Sequence, residues 1–301
     1  MPDHKNIHIT KQLWHFILHL RWHYQLFILS GGFLLGGFLS ADLDVQSFLL
    51  QFANVHLLLF GGATAYNSFW DKDEGPIGGL QNPPEMQSWM WAASLILQGI
   101  GLGIAVAQGF LFSGIYLISI FFFWLYSTPL ARWKNHPHKS LVAIGVSTGF
   151  NSVLLGYLAA GNSGLDISVW IAAVGVTLML LSLYPISQIY QVEEDRKRGD
   201  HTFALQYGKK GVTQFFISAF LSGLVLVGFA IGMSNFWLAF LFGVMGFIVG
   251  IIVFALLKGL STTSEDYSKV MWIKYGTSMA FVGFLVVALF LKHSRIMEYL
   301  G

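Results

Sequence analysis

The chain contains no cysteine in 301 residues, and only 11% of its residues are charged. The first absence excludes disulfides, thiolate metal sites and cysteine nucleophiles, and it leaves the redox compartment open. Chemistry must rest on oxygen, nitrogen and aromatic groups. The scarcity of charge accompanies 55% apolar and 16% aromatic content and a mean hydropathy of +0.62, which excludes an ordinary soluble domain. No basic tract with interleaved aromatics is present, so no nucleic-acid partner is expected. Residues 1–23 hold five histidines and no short apolar core followed by small residues, so they lack the form of a signal peptide. The first membrane segment is expected to stay.

What is abundant is hydrocarbon in long runs. A transmembrane helix needs about 20 mostly apolar residues to cross about 30 Å of hydrocarbon. That rule predicts an all-α integral membrane protein, a bundle of nine transmembrane helices: Tyr24 to Leu39, Val45 to Tyr66, Trp89 to Ala107, a fourth after Gln108 and Gly109 to Tyr126, Leu141 to Ala160, Val169 to Ile186, Val212 to Ile231, Phe236 to Leu257, and Val270 to Leu291. Residues 1–23 read as an interfacial segment. His15, His19 and His23 recur every fourth residue there, a metal-compatible stripe that no carboxylate accompanies. Links between spans are too short for a soluble domain, which seldom falls below about 50 residues, so 1–301 reads as a single membrane domain. Glycines within spans, as at Ser30-Gly31-Gly32, Gly99, Gly101, Gly103, Gly243, Gly246 and Gly250, fit close helix packing or, less simply, a glycine-lined cavity.

Threading these spans puts Lys5, Lys11, Arg21, Lys72, Arg132, Lys134, Lys139, Arg196, Lys197, Arg198, Lys209, Lys210, Lys258, Lys269 and Lys274 on one side. Only Lys292 and Arg295 fall on the other. The positive-inside rule then makes the N-terminus cytoplasmic and leaves the C-terminus outside, in what reads as a cell inner membrane.

Two charged stretches interrupt the hydrocarbon on the cytoplasmic side. One is Gln188 to Thr202, where four acids and three bases fall within ten residues; the other is Asn67 to Pro76, with Asp71, Asp73 and Glu74. Either stretch alone fits a solvated loop at a helix end. Two acidic stretches facing one cavity, as an active-site cap, would hold a diphosphate through Mg2+, which takes one or two carboxylates, waters and phosphate oxygens. Arg196, Lys197 and Arg198 would add positive charge suited to phosphate. Without a divalent cation the acids would repel a diphosphate. Aromatic rings at the predicted mouth, Tyr66, Phe69, Trp70, Tyr126, Tyr184 and Tyr190, fit either an interfacial belt or a surface for a carbocation. Asn54, His56, Ser147 and Asn151 lie within spans and should face the bundle interior, bonding helix to helix. Asn151 is also a candidate to orient an acceptor.

The two stretches resemble the signature motifs of the UbiA superfamily of intramembrane prenyltransferases, which that family carries after the second and sixth of nine helices. In the first motif, Asn-x-x-x-Asp-x-x-x-Asp, Asn67 and Asp71 match while Gly75 stands at the third position, with Asp73 and Glu74 beside it. In the second, Asp195, Arg196, Lys197, Gly199 and Thr202 match and Gln191 replaces the first acid. Tyr126 to Lys134 is similar to the family segment after the fourth helix; the family lysine falls on Leu130, leaving Arg132 or Lys134 for its role.

The resemblance implies a Mg2+-dependent membrane prenyltransferase. Its substrates would be an isoprenyl diphosphate and an aromatic, quinone-precursor or other small or lipidic acceptor. It implies Asn67, Asp71 and Asp195 as catalytic residues. The metal set becomes Asn67, Asp71, Asp73, Glu74, Gln191, Glu194 and Asp195, and the substrate set Arg132, Lys134, Arg196, Lys197, Tyr126, Tyr190 and Asn151. The altered acids also fit a noncatalytic isoprenoid-binding or assembly protein of the same fold.

Overall fold

A backbone in hydrocarbon must satisfy its own amides, and the long apolar runs do so as helices. The computed structural model describes residues 9–72 and 75–294. The expectations placed on Lys5, Asp73, Glu74 and Arg295 fall outside them. The helices are α1 (Ile9–Leu20), α2 (Gly31–Leu39), α3 (Val45–Asp71), α4 (Met90–Ala107), α5 (Phe110–Ser127), α6 (Pro137–Ala159), α7 (Ile167–Leu183), α8 (Val192–Arg198), α9 (Phe203–Gly232), α10 (Phe236–Lys258) and α11 (Tyr267–His293). Among the described residues the only β-type pairing is one bridge, Ile77 with Leu80.

Among the described residues eight helices are long and apolar enough to cross a membrane: α3 to α6, α7 with its continuation through α8, α9, α10, and α11 with the turn before it. The chain is an integral membrane protein. The expected first span, Tyr24 to Leu39, is helical but broken, and its longest regular piece is the 9-residue α2. Ser30 Oγ bonds back to Leu26 O at 2.5 Å beside a wide turn over Gln25–Leu29, and Gly31-Gly32 follow at once. A back-bonding hydroxyl next to two glycines is a local recipe for interrupting a helix.

The second correction concerns the two charged stretches. Asn67 and Asp71 form the last turn of α3, five residues beyond the expected end at Tyr66, and Glu193 to Arg198 form α8. Acids in the first turn of α8 and bases in its last suit the helix dipole, which explains why so polar a segment is helical.

Two helix crossings depend on glycine. A Cβ at Gly156 would overlap the backbone oxygen of Phe33, and one at Gly36 the backbone oxygen of Val153, so α2 and α6 touch main chain to main chain. Gly175 and Gly223 bring α7 and α9 together in the same way. The packing reading does not hold for every glycine, since Gly99, Gly103 and Gly243 have open space beside them. Polar groups within the spans bond between helices: Asn54 Nδ2 donates to Gly101 O at 2.9 Å, and Asn54 Oδ1 accepts from Tyr116 OH at 3.1 Å.

The ends of the bundle differ chemically. At one end Asp44 N donates to Ala160 O (2.9 Å), Asn162 Nδ2 to Ser40 Oγ (2.7 Å) and Lys292 Nζ to Phe38 O (2.6 Å). At the other stand Asp71, Lys134, α8 and the linkage of Lys209 Nζ to Lys258 O (2.7 Å). Gly156→Ala should lower the stability of the purified protein by about 1–3 kcal/mol, the range for overpacking a tight contact. Gly99→Ala, in open space, should be neutral or slightly stabilising. Thermal unfolding in detergent, followed by size-exclusion, measures both.

Candidate active site

The last turn of α3 stacks Asn67 over Asp71, and Asn67 Nδ2 donates to Asp71 Oδ2 at 2.8 Å. The helix ends because Lys72 takes a left-handed conformation, φ 50°. On the neighbouring helix, Ser127 at the end of α5 donates from Oγ to Asn67 Oδ1 at 3.0 Å. The segment after α5 turns through a left-handed Arg132 (φ 41°) into a single helical turn, and this carries Lys134 inward to an ion pair with Asp71 Oδ1. Both side chains of the pair are nearly buried.

The second acid is Asp195 on α8, 5% exposed. Its Oδ2 accepts from Thr202 Oγ1 at 2.8 Å, and its Oδ1 lies 3.6 Å from Arg198, one helical turn on. Arg198 also donates to the backbone oxygen of Asp71 at 3.5 Å, so one guanidinium joins the two motifs. Gly199 stops α8 with φ 74°, a left-handed position that favours glycine. That turn brings Asp200 N back to Asp195 O at 2.9 Å and its carboxylate to Arg132 at 3.4 Å. Gln188 Oε1 accepts from Ala204 N at 3.2 Å, and Gln191 Nε2 donates to Pro76 O at 3.5 Å.

These groups open on one cavity of about 270 Å³. Its polar end holds Asn67, Asp71, Lys134, Gln191, Asp195 and Arg198. Its walls are apolar and include Ile28, Leu29, Phe123, Val176, Met179, Leu183 and Phe281, with Tyr126 and Tyr184 sharing a 3.0 Å hydrogen bond between their hydroxyls.

Of the expected site residues, Asn67, Asp71, Gln191, Asp195, Lys134, Tyr126 and Tyr190 line this cavity. Glu194 does not, and pairs with Arg198 at 3.3 Å. Arg132 stands behind the wall, holding Asp200 and donating to Asn135 Oδ1 at 2.9 Å. Arg196 and Lys197 point to solvent; the member of that basic triplet that lines the cavity is Arg198. Helical spacing explains this, because Arg198 lies three residues beyond Asp195 and shares its face. Asn151 is placed away from the cavity and donates to Ser119 Oγ at 2.9 Å, which is helix-to-helix bonding. Leu130, where the family lysine aligns, is 87% exposed, so Lys134 is the base delivered to the acid. Tyr66 lines a separate crevice, while Phe69 and Trp70 line neither.

Sequence reasoning did not single out Arg21, Tyr24 or Lys274 for the cavity. They come from the N-terminal segment and α11, far from either motif in sequence, and only the fold brings them in. The histidine stripe serves a different purpose. His19 Nε2 lies 2.7 Å from Pro84 O and His23 Nε2 lies 2.9 Å from Gly79 O, so the stripe holds the 78–84 segment. Burial pulls the His19 pKa down to about 4, which keeps the ring neutral and its Nε2 a donor to that carbonyl.

The chemistry of the donor set fits Mg2+. Asp71, Asp195, Asn67 and Gln191 are all oxygen ligands, the type a hard divalent ion takes. Among the described residues no three acids or histidines cluster tightly enough to cage an ion unaided. Mg2+ is usually held by one or two carboxylates completed by substrate phosphates, and two carboxylates are what this cavity end presents.

The model of the UbiA prenyltransferase family matches residues 26–282. The chain belongs to that family. Among solved structures, a UbiA homologue from Archaeoglobus fulgidus bound to GPP and Mg2+ superposes with a TM-score of 0.71 at 15% identity, covering 91% of this chain and 99% of its own. A digeranylgeranylglyceryl phosphate synthase gives 0.64 at 22% identity, covering 93% and 99%. An apo UbiA homologue from Aeropyrum pernix K1 gives 0.67 at 18% identity, covering 90% and 98%. These likenesses show the shared fold. A 2-acylphloroglucinol 4-prenyltransferase from Humulus lupulus is 28% identical over 154 residues, 49% of this chain and 36% of that enzyme.

Removing one member of the Asp71 and Lys134 pair leaves a nearly buried charge unbalanced, so Lys134→Met should cost about 3–5 kcal/mol of stability. The double variant Lys134→Met with Asp71→Asn should recover part of that loss. A double-mutant cycle by thermal unfolding in detergent reads the coupling directly.

Proposed function

We propose that this protein transfers an isoprenyl group from its diphosphate to a small or lipidic acceptor within the membrane, acting as a single UbiA-like domain. The observation that carries this reading is that Asp71 and Asp195, from motifs over a hundred residues apart, line one cavity much of whose remaining wall is hydrocarbon. A diphosphate needs the first feature and a prenyl tail the second.

In this reading the diphosphate docks at the polar end, where Lys134 and Arg198 face it and Asp71 and Asp195, with Asn67 and Gln191, would hold Mg2+. Bound Mg2+ supplies Lewis-acid neutralisation of the leaving diphosphate. Lys134 and Arg198 exchange part of their pairing with the acids for phosphate oxygens as the carbon–oxygen bond breaks. The electron pair leaves with the diphosphate, an allylic cation remains, and an acceptor nucleophile closes the new bond and loses its proton. Tyr126 and Tyr184 line the cavity, where their rings would stabilise the cation. Phe123, Val176, Met179 and Leu183 surround the tail, excluding water that would otherwise capture the cation. The tail gains little by leaving lipid, so the wall selects by fit.

A second reading follows from one observation: Gly75 and Gln191 replace motif acids, and the two remaining acids already have basic partners. A protein so altered would bind isoprenoid without turning it over.

We place the polar end of the bundle, the cap over it and the N-terminus on the cytoplasmic side of a cell inner membrane, from the excess of Lys and Arg there. Because the chain lacks cysteine, single cysteines report sidedness cleanly. Lys139→Cys should react with an impermeant maleimide only in inverted vesicles, and Ser163→Cys only in intact cells. The reverse pattern would overturn the orientation.

For the activity, purified protein in liposomes should form prenylated product from radiolabelled isoprenyl diphosphates and a panel of acceptors. Product should require Mg2+, vanish with EDTA, and fall at least a hundredfold in Asp71→Ala and Asp195→Ala. Metal-independent donor binding with no product from any acceptor would favour the second reading.

A further inference from the structure

Beside the reaction cavity lies a second space of about 220 Å³, between α3, α4 and α5. Its walls include Tyr66, Leu95, Gln98 and Trp124, and none of the described residues that line it carries a charge. Gln98 turns its amide onto its own helix, with Nε2 donating to Ser94 O at 3.2 Å. Leu117 and Phe121, also in its wall, are 52% and 53% exposed, so this crevice opens toward lipid. A space of that chemistry takes hydrocarbon.

Ala63 and Phe123 line both spaces and so form a wall between them. Helical period fixes where that wall stands. Ala63, Asn67 and Asp71 fall at i, i+4 and i+8 on one face of α3, which puts Ala63 about 12 Å along the axis from Asp71, away from the polar end. Phe123 precedes by one turn the Ser127 that donates to Asn67 Oδ1. The wall therefore crosses the path of a tail whose diphosphate sits at Asn67 and Asp71. Of its two members only the phenylalanine is bulky. Phe60, 1% exposed, packs edge-on against the Phe123 ring at 5.8 Å, and His56 packs edge-on against Phe60 at 5.4 Å. A ring backed in this way is held in place rather than free to swing aside.

The reaction cavity, about 270 Å³, is small for a ligand site, which usually has about 300–1,000 Å³. Without the Phe123 ring it would join the crevice, and its volume would nearly double. Beyond the crevice is lipid, where further isoprene units meet no wall.

We propose that Phe123 is a specificity-determining residue that limits the length of the donor's prenyl tail, by closing the reaction cavity against the crevice between α3, α4 and α5. This deepens the transferase reading and rests on it for the nature of the donor. A tail gains little by leaving lipid, so a longer chain is not drawn in by its extra carbons and is turned away by the ring.

Binding rather than turnover is the readout, so a protein that holds donor without transferring it still gives an answer. Wild-type and variant proteins in nanodiscs are titrated, with Mg2+, with geranyl diphosphate and with geranylgeranyl diphosphate. The ratio of the two affinities is compared between proteins, which cancels the partition of each donor into the same lipid. The ratio of long to short should rise at least tenfold in Phe123→Ala and at least threefold in Phe123→Leu. Adding Leu95→Phe, which fills the crevice from α4, should return the Phe123→Ala ratio to within threefold of wild type. Folding of each variant is checked by size-exclusion, Phe123→Leu carries the comparison if Phe123→Ala does not fold, and Leu117→Phe replaces Leu95→Phe on the same condition.

A ratio within twofold of wild type in the folded Phe123 variants would overturn the assignment and leave the transferase reading standing. A rise that filling the crevice does not reverse would also overturn it, by placing the added room elsewhere. If neither donor bound to any of the proteins, the transferase reading would fall and the assignment with it.

Discussion

Acids at the mouth of a hydrocarbon bundle must be neutralised, and the pairing of Asp71 with Lys134 is where that need shapes the molecule. Taking two charges out of water costs several kcal/mol per ion, and the pair offsets this only with good geometry and further hydrogen bonds. Asn67 supplies one such bond to Asp71, and Ser127 holds Asn67 in turn. The pair therefore fixes the end of α3 against the segment after α5. Arg198 extends the same logic, binding Asp195 by its side chain and Asp71 by its backbone oxygen. Three connections that would otherwise be independent loops become one charged floor beneath the cavity.

The membrane nature of the chain and most helix positions were legible because hydrocarbon length is a direct physical constraint. A span has to reach across the bilayer, and the sequence must supply the residues. The break in the first span was harder to read. Its composition is apolar throughout, and only the Ser30 hydroxyl bonding to Leu26 O, beside two glycines, interrupts it. The motif acids could be seen from their spacing, since Asn67 to Asp71 is one helical turn. Which base of Arg196, Lys197 and Arg198 turned inward was also open to periodicity, once α8 was recognised as a helix anchored by Asp195. Lys274 and Arg21 were different. They sit about 250 positions apart, no local pattern links them, and only the packing of α11 against the N-terminal segment reveals that they share a wall.

The departures at the motif positions follow the same accounting of charge. A Cβ at Gly75 would lie 3.2 Å from Glu194 Oε2, so an aspartate there would set a second carboxylate against the first. Like charges that close repel, and one would have to protonate or move. Glycine at 75 and glutamate at 194 are thus mutually consistent, whereas acids at both positions would conflict in this arrangement. Gln191 removes a further negative charge from the cavity wall itself.

Among the described residues the cavity is lined by four bases, Arg21, Lys134, Arg198 and Lys274, against three acids, Asp71, Asp195 and Asp200. An acid in place of Gln191 would bring the two signs to parity. Among the described residues that wall has one more base than acid, and apolar surroundings strengthen the field of each charge relative to water. The excess is also uneven. At the motif end Lys134 pairs with Asp71 and Arg198 with Asp195, and a divalent ion held by those carboxylates would leave both bases free to meet an anion. Arg21 and Lys274 pair with no carboxylate among the described residues and donate instead to Gly78 O, Thr64 O and Tyr24 OH. The four bases therefore differ in kind, two paired with acids and two held by neutral groups.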